Sequence, residues 1–308
     1  MTEKPYNQMH PAAQFFIFIG IFLVVLFAGN LIGAGIASAL YGLNTVMAIA
    51  TLNVNTPHLI NALWIIQIAG TTFPIFAAPV FFSYVIVRDP QEYIRPSFRV
   101  HWVLFALVFI IMIFSNPVME VLSNINQKMQ LPSFLSGVQK WMEDSEKSAQ
   151  KITEVMLQMK TIWNMIINVL LIGLLTAIVE EFMFRGVLQT IFVRWTGSIH
   201  AAIWITAILF SAFHMEFFGF LPRLMLGVLF GYFVAWSGSI WPAVWAHFLN
   251  NGAAVVATYL FQHKIITANP DDQHLFNAGA YIVSLLIMLF LLFIYRRKAF
   301  EKRQIPEY

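Results

Sequence analysis

The chain has 308 residues, of which 59% are hydrophobic and 11% charged, against roughly a quarter charged in a soluble domain. With 30 Phe, 9 Trp and 14 Met it carries more apolar surface than a water-soluble fold of this length can hide, which excludes a soluble globular protein and places the chain in a bilayer. The absence of Cys excludes a disulfide scaffold, a thiol nucleophile and a thiolate metal site. The net charge of +3 sits in end segments and loops, as a membrane protein's cations do, rather than in a nucleic-acid-binding patch.

A span needs roughly 20 apolar residues. Eight segments qualify, at about 14–40, 60–87, 102–122, 161–190, 197–214, 217–236, 239–262 and 278–295. The expectation is an all-α polytopic membrane protein of about eight transmembrane helices. Turn and charge signals separate the segments: Arg88-Asp89-Pro90, Arg95-Pro96, Gly197-Ser198 and Ser237-Gly238-Ser239. The boundary between the fifth and sixth rests only on Met215-Glu216 and the Phe-Gly-Phe that follows. Ala37-Ser38-Ala39 has the small-residue pattern of a signal cleavage site. The first apolar stretch is long, however, and Lys4 is offset by Glu3, so it reads as a retained span.

Orientation follows from the cations. With the N-terminus inside, the inner segments hold Lys4, Arg88, Arg95, Arg99, Arg194, Arg296, Arg297, Lys298, Lys302 and Arg303. The outer side has Lys264 and the lysines of the long 123–160 loop, mixed there with Glu143, Asp144, Glu146 and Glu154. The positive-inside rule then places both termini in the cytoplasm, in a multi-pass protein of the cell membrane. Within that loop Leu135, Val138, Met142, Ser145, Ala149, Ile152, Met156 and Met159 recur at three- and four-residue spacing. This predicts an amphipathic helix leading into the fourth span and packing on the rim of its own bundle; a partner-binding helix is the other reading.

The fourth span interrupts its apolar run with Glu180, Glu181 and Arg185. A charge at the centre of a membrane helix costs roughly 2.5–3.5 kcal/mol on insertion scales, so three within one stretch must pair or face a wet cavity. Glu181 and Arg185 are four apart and share a face, as an ion pair would. Glu180 lies about 100° around the helix from Glu181, leaving one carboxylate free for acid–base work. Phe210 and His214 end the fifth span; His247 and Asn251 share a face of the seventh. An imidazole and a carboxamide side by side are hydrogen-bond donors suited to an oxyanion. Taken singly, each feature has a plainer reading: a packing histidine, an interhelical hydrogen bond, or the proton site of a transporter. Arg223, near the start of the sixth span, is left unassigned, with snorkelling to the interface as its plainer reading.

Glu-Glu-x-x-x-Arg, then Phe-x-x-x-His, then His-x-x-x-Asn, in this order on successive apolar segments, resembles the CPBP intramembrane proteases. These include the type II CAAX prenyl endopeptidases and the bacterial Abi proteins linked to bacteriocin processing and self-immunity. The resemblance covers roughly residues 160–255. It implies a helical bundle enclosing an intramembrane catalytic cavity, and endopeptidase action on membrane-associated proteins or peptides. It divides the chain into N-terminal transmembrane helices (1–122), an extramembrane loop (123–160), a catalytic core (161–262) and a C-terminal helix with a basic tail (263–308).

On this resemblance the catalytic residues are Glu180, His214, His247 and Asn251, supported by Glu181, Arg185 and Phe210. Glu180 and His214 would activate a water, and His247 with Asn251 would hold the oxyanion. A zinc ion held by Glu180, His214 and His247 is the competing mechanism, because two imidazoles and a carboxylate resemble an open catalytic zinc site. No His-Glu-x-x-His run supplies two ligands and a base, and zinc ligation would consume the free carboxylate. The favoured expectation is therefore a glutamate-type peptidase without a metal cofactor. Ser211 lacks a base beside it in sequence and is set aside. Two rivals come from other classes: a proton-coupled transporter, which calls for inverted repeats that the sequence does not show, and a non-enzymatic immunity or scaffold protein. Helix rise sets Glu180 and His247 roughly 12–15 Å from the cytoplasmic ends but His214 roughly 25 Å from its own, a mismatch in depth that a water-lined cavity would have to reconcile.

Overall fold

A computed structural model describes residues 9–51, 56–267, 269 and 275–303. Lys4, counted among the inner cations, lies outside the described residues, as does Glu3. Among the described residues all regular structure is helical, with no strand. We label the principal helices α1 (Pro11–Tyr41), α2 (Leu59–Ile86), α3 (Trp102–Gln127), α4 (Ser136–Met156), α5 (Ile162–Thr196), α6 (Ile199–Phe213), α7 (Phe220–Ser237), α8 (Trp241–Gln262) and α9 (Ala278–Arg303).

Eight of these stand where spans were expected, but six helical segments, among the described residues, are long and apolar enough to cross a bilayer. The other two, α6 and α8, fall short of that measure for different reasons. α6 has only 15 residues, a rise of about 22 Å. α8 has the length, but it places His247, Asn250 and Asn251 in mid-helix, which lowers its hydropathy. Both shortfalls fall on helices that carry site residues. α6 ends at Phe213, and His214, its C-cap residue, faces Glu180 of α5.

Local sequence sets the ends. Thr161 and Asn164 form a reciprocal capping box that starts α5. The Ser198 hydroxyl accepts from Ala201 N–H to start α6. Gly197 and Gly238 close α5 and α7 in the left-handed region, at φ 66° and 75°. α2 and α5 are not regular throughout: π-helical turns run over Ile68–Thr72 and Phe82–Ile86 in α2, and over Val169–Leu175 and Phe182–Leu188 in α5. The two turns in α5 flank Thr176–Glu181, so the acid pair sits on a short regular segment between widened ones.

Two apolar cores hold the bundle. One is built by α1, α2, α5 and α6 around Phe18, Phe82, Phe184 and Phe210. The other is built by α3, α7, α8 and α9 around Ile111, Phe230, Phe233 and Tyr295. α5 supplies Val179, Met183 and Val187 to the first and Ala177 to the second, and so forms the wall common to both. α6 and α7 approach closely because Gly227 and Gly231 face Ala207 and Ile203; a Cβ at Gly231 would come within 2.8 Å of Ile203 Cγ2.

α4 is the amphipathic helix expected in the loop. It packs on its own chain, with Val155 joining Ala48, Leu59 and Leu63 in a small cluster. Its inward stripe differs in detail from the expected one: Val138 is exposed, while Glu146 and Val155 are buried.

Candidate functional site

The middle of α5, the end of α6, the start of α7 and the middle of α8 converge on one cavity of about 740 Å³. Glu180, Phe210, His214, Arg223, His247 and Asn251 all line it. Beneath it lies a charged network excluded from solvent. Arg185 and Glu181 are fully buried and joined by a 2.8 Å Nη1–Oε1 bond. Arg185 Nη2 also donates to the Gly227 carbonyl of α7 at 3.1 Å, and its guanidinium lies 4.2 Å from the centre of the Phe210 ring. Glu181 Oε1 receives a second bond, from His247 Nδ1 at 2.8 Å. One carboxylate oxygen thereby ties α5 to itself and to α8. The pairing of Glu181 with Arg185 was legible from their spacing; the bond to His247 was not.

Glu180 stands on the other side of α5. Its Oε2 hydrogen-bonds to no protein group, although the residue is only 7% exposed. Two imidazole nitrogens face this oxygen: His214 Nε2 at 3.7 Å and His247 Nε2 at 3.8 Å. Both rings are oriented from behind. His214 Nδ1 lies 2.8 Å from the Phe210 carbonyl, which can only accept, so Nδ1 carries the proton. His247 Nδ1 likewise donates to the Glu181 carboxylate. In their neutral forms both rings then present an Nε2 lone pair to Glu180 Oε2. Phe210 packs edge-on to His214 and to His247, with centroids 4.9 and 5.8 Å away, and Phe230 stacks on His247 at 5.3 Å. Phe210 thus fixes both imidazoles, a wider part than its place one turn before His214 implied.

Asn251 reaches the cavity from one helical turn beyond His247. Its Oδ1 accepts from Asn250 Nδ2 at 3.1 Å, and its Nδ2 lies 3.4 Å from the Ile172 carbonyl. Asn250, not singled out from sequence, therefore holds the carboxamide oxygen of Asn251 and leaves one Nδ2–H beyond the bond to Ile172. Arg223, unassigned from sequence, forms an ion pair with Glu216 and lines the cavity that His214 also lines. A charge near the start of an apolar run was the available signal. Ser211 is turned away from this chemistry, its hydroxyl donating to the Phe220 carbonyl at 2.7 Å.

Glu180, His214 and His247 are the donor types of a catalytic zinc site. Among the described residues, however, no group of three His, Cys, Asp or Glu is disposed to hold a metal ion.

Six apolar helices, a buried ion pair and a carboxylate facing two imidazoles in a cavity between them define a multi-pass membrane protein with the ingredients of an intramembrane hydrolase. Residues 162–253 match the family model described as type II CAAX prenyl endopeptidase Rce1-like. The chain thus carries an Rce1-like domain in its second half, as the three ordered motifs implied, and the similarity is to an intramembrane peptidase of the CAAX type. No match was found among curated proteins or among solved structures.

Proposed function

We propose that the protein is an intramembrane endopeptidase that hydrolyses peptide bonds of membrane-associated proteins or peptides, using a water activated by Glu180 and His214. The observation that carries this reading is the unpartnered Glu180 Oε2 facing two imidazole Nε2 atoms at 3.7 and 3.8 Å in the wall of a large cavity. Those separations exceed a direct hydrogen bond and suit groups that share a water. The water gives its proton to Glu180 as its oxygen attacks the scissile carbonyl carbon, and His214 Nε2 accepts the water's second hydrogen bond. The carbonyl oxygen, now an oxyanion, receives the Asn251 Nδ2–H and, when His247 carries a proton on each nitrogen, its Nε2–H. Glu181 holds the other face of that imidazolium while remaining paired with Arg185. The proton taken up by Glu180 then passes to the leaving amine as the C–N bond breaks. No step passes through a metal or other cofactor.

In this reading the catalytic core is 161–262, the protein sits in the cell membrane with both termini cytoplasmic, and its partners are the lipid bilayer and the membrane-associated substrate. The test uses purified full-length protein in detergent and a quenched-fluorescence membrane peptide that the wild type turns over. Glu180→Gln and His214→Ala each abolish cleavage, and a tight chelator does not. Cleavage that survives Glu180→Gln removes the mechanism. Loss of cleavage with the chelator, restored by added zinc, transfers it to a metal.

A further inference from the structure

We infer that Glu146 of α4, outside the Rce1-like segment, is a positioning residue for His214, so that the extramembrane helix is a working part of the site; the inference rests on the proteolytic reading above. The chain leaves α6 at His214, and the next residue, Met215, takes φ 56°. His214 is thus held by helix on one side only, and its side chain is 24% exposed where that of His247 is 4% exposed. Where its Nε2 lies against Glu180 depends on how the following residues are fixed.

Those residues are fixed from outside the motif-bearing helices. The Glu146 carboxylate accepts from Phe218 N–H at 3.0 Å, and Trp141 of the same helix packs on the Phe217 ring at 5.6 Å. Asn126, at the end of α3, donates to the Phe217 carbonyl at 2.9 Å and accepts from Leu221 N–H at 2.6 Å. Glu146 is 8% exposed, the one buried carboxylate of a helix on which Asp144 and Glu154 are exposed and Glu143 half-buried. A side chain of this cost is retained for what it holds. The remainder of α4 faces the same cavity through Ala149, Ile152, Thr153 and Met156. Just past its end, Gln262 of α8 donates to the Leu157 carbonyl at 2.9 Å and accepts from Met159 N–H at 3.1 Å. α4 therefore braces the two elements that carry the imidazoles, at the connection after His214 and at the end of α8.

The test takes the full-length protein in micelles through two variants. Glu146→Met keeps the buried volume and loses the acceptor; Glu146→Gln keeps an acceptor oxygen and loses the charge. Amide hydrogen exchange over residues 215–221 is read without substrate, and kcat and KM are read with the same quenched peptide. Glu146→Met is expected to speed exchange over 215–221 by about tenfold. It should lower kcat by about tenfold while KM stays within about twofold, as a misplaced catalytic group does. Glu146→Gln restores both towards wild type. Unchanged exchange and kcat in Glu146→Met overturn the inference, as does a Gln variant as impaired as the Met one. A wild type that cleaves no peptide overturns the proposed function, and the exchange measurement then decides alone whether Glu146 holds the connection.

Discussion

Replacing Arg185 by Met tests the buried network. Arg185 is fully buried and donates to Glu181 Oε1 and to the Gly227 carbonyl, with the Phe210 ring against its guanidinium. Met fills much of the same volume and stacks acceptably on Phe210, so the loss is electrostatic. Glu181 would remain fully buried with His247 as its one hydrogen-bonding partner. Stranding one member of a buried pair costs about 3–5 kcal/mol. The carbonyl of Gly227 also loses its donor, about 1–3 kcal/mol more if it stays unsatisfied. Unfolding followed in mixed micelles with increasing SDS should show a loss of at least about 3 kcal/mol. The double variant Glu181→Gln/Arg185→Met, which strands no charge, should be more stable than Arg185→Met alone. A single variant within about 1 kcal/mol of wild type, or a double variant whose losses simply add, would refute the claim that these charges are held by each other.

Further outcomes follow from the same geometry. Asn251→Ala should lower kcat by about 10²–10³-fold with little change in KM, as loss of an oxyanion donor does. Asn250→Ala should fall between that variant and wild type, because it frees the amide to turn without removing it; equal kcat in Asn250→Ala and wild type would dissociate the two. Gly231→Leu should destabilise by more than about 2 kcal/mol in the same unfolding assay, since its first carbon already meets Ile203 and Gln189. Tyr93, on the short helix between α2 and α3, has its phenol pushed up to about 12 by burial, against the lowering effect of Arg194. A raised phenol favours the fold below its ordinary value and is lost as pH climbs through 10 towards 12. Wild type should therefore lose stability more steeply than Tyr93→Phe over that interval, and parallel curves would contradict the burial argument.

The motif residues were legible because charge in an apolar helix is expensive and helical spacing says which charges can meet. Glu181 with Arg185, and His247 with Asn251, follow from a four-residue interval alone. Contacts between helices have no such rule. The bond from Glu181 to His247 and the wall that α2 and α4 give the cavity depend on how helices cross, which spacing does not encode. The span boundaries were legible to within a few residues at most helix ends, yet the end of α3, read at 122, falls at Gln127. There Asn126 lies past the apolar run and serves the connection after His214. Arg223 went unassigned because sequence cannot distinguish a charge reaching lipid headgroups from one turned into a hole. The π turns of α5 left no signal, since they arise where packing widens a helix rather than from any residue preference.

The double membership of α5 has a mechanical consequence. A helix that seals one apolar cluster on each side cannot tilt without unsealing one of them, so both clusters resist displacement of the segment that carries Glu180. The rim helix α4, by contrast, rests on a smaller cluster and reaches the connection after His214 through Glu146. On the proteolytic reading the acid is therefore anchored more firmly than the imidazole across from it.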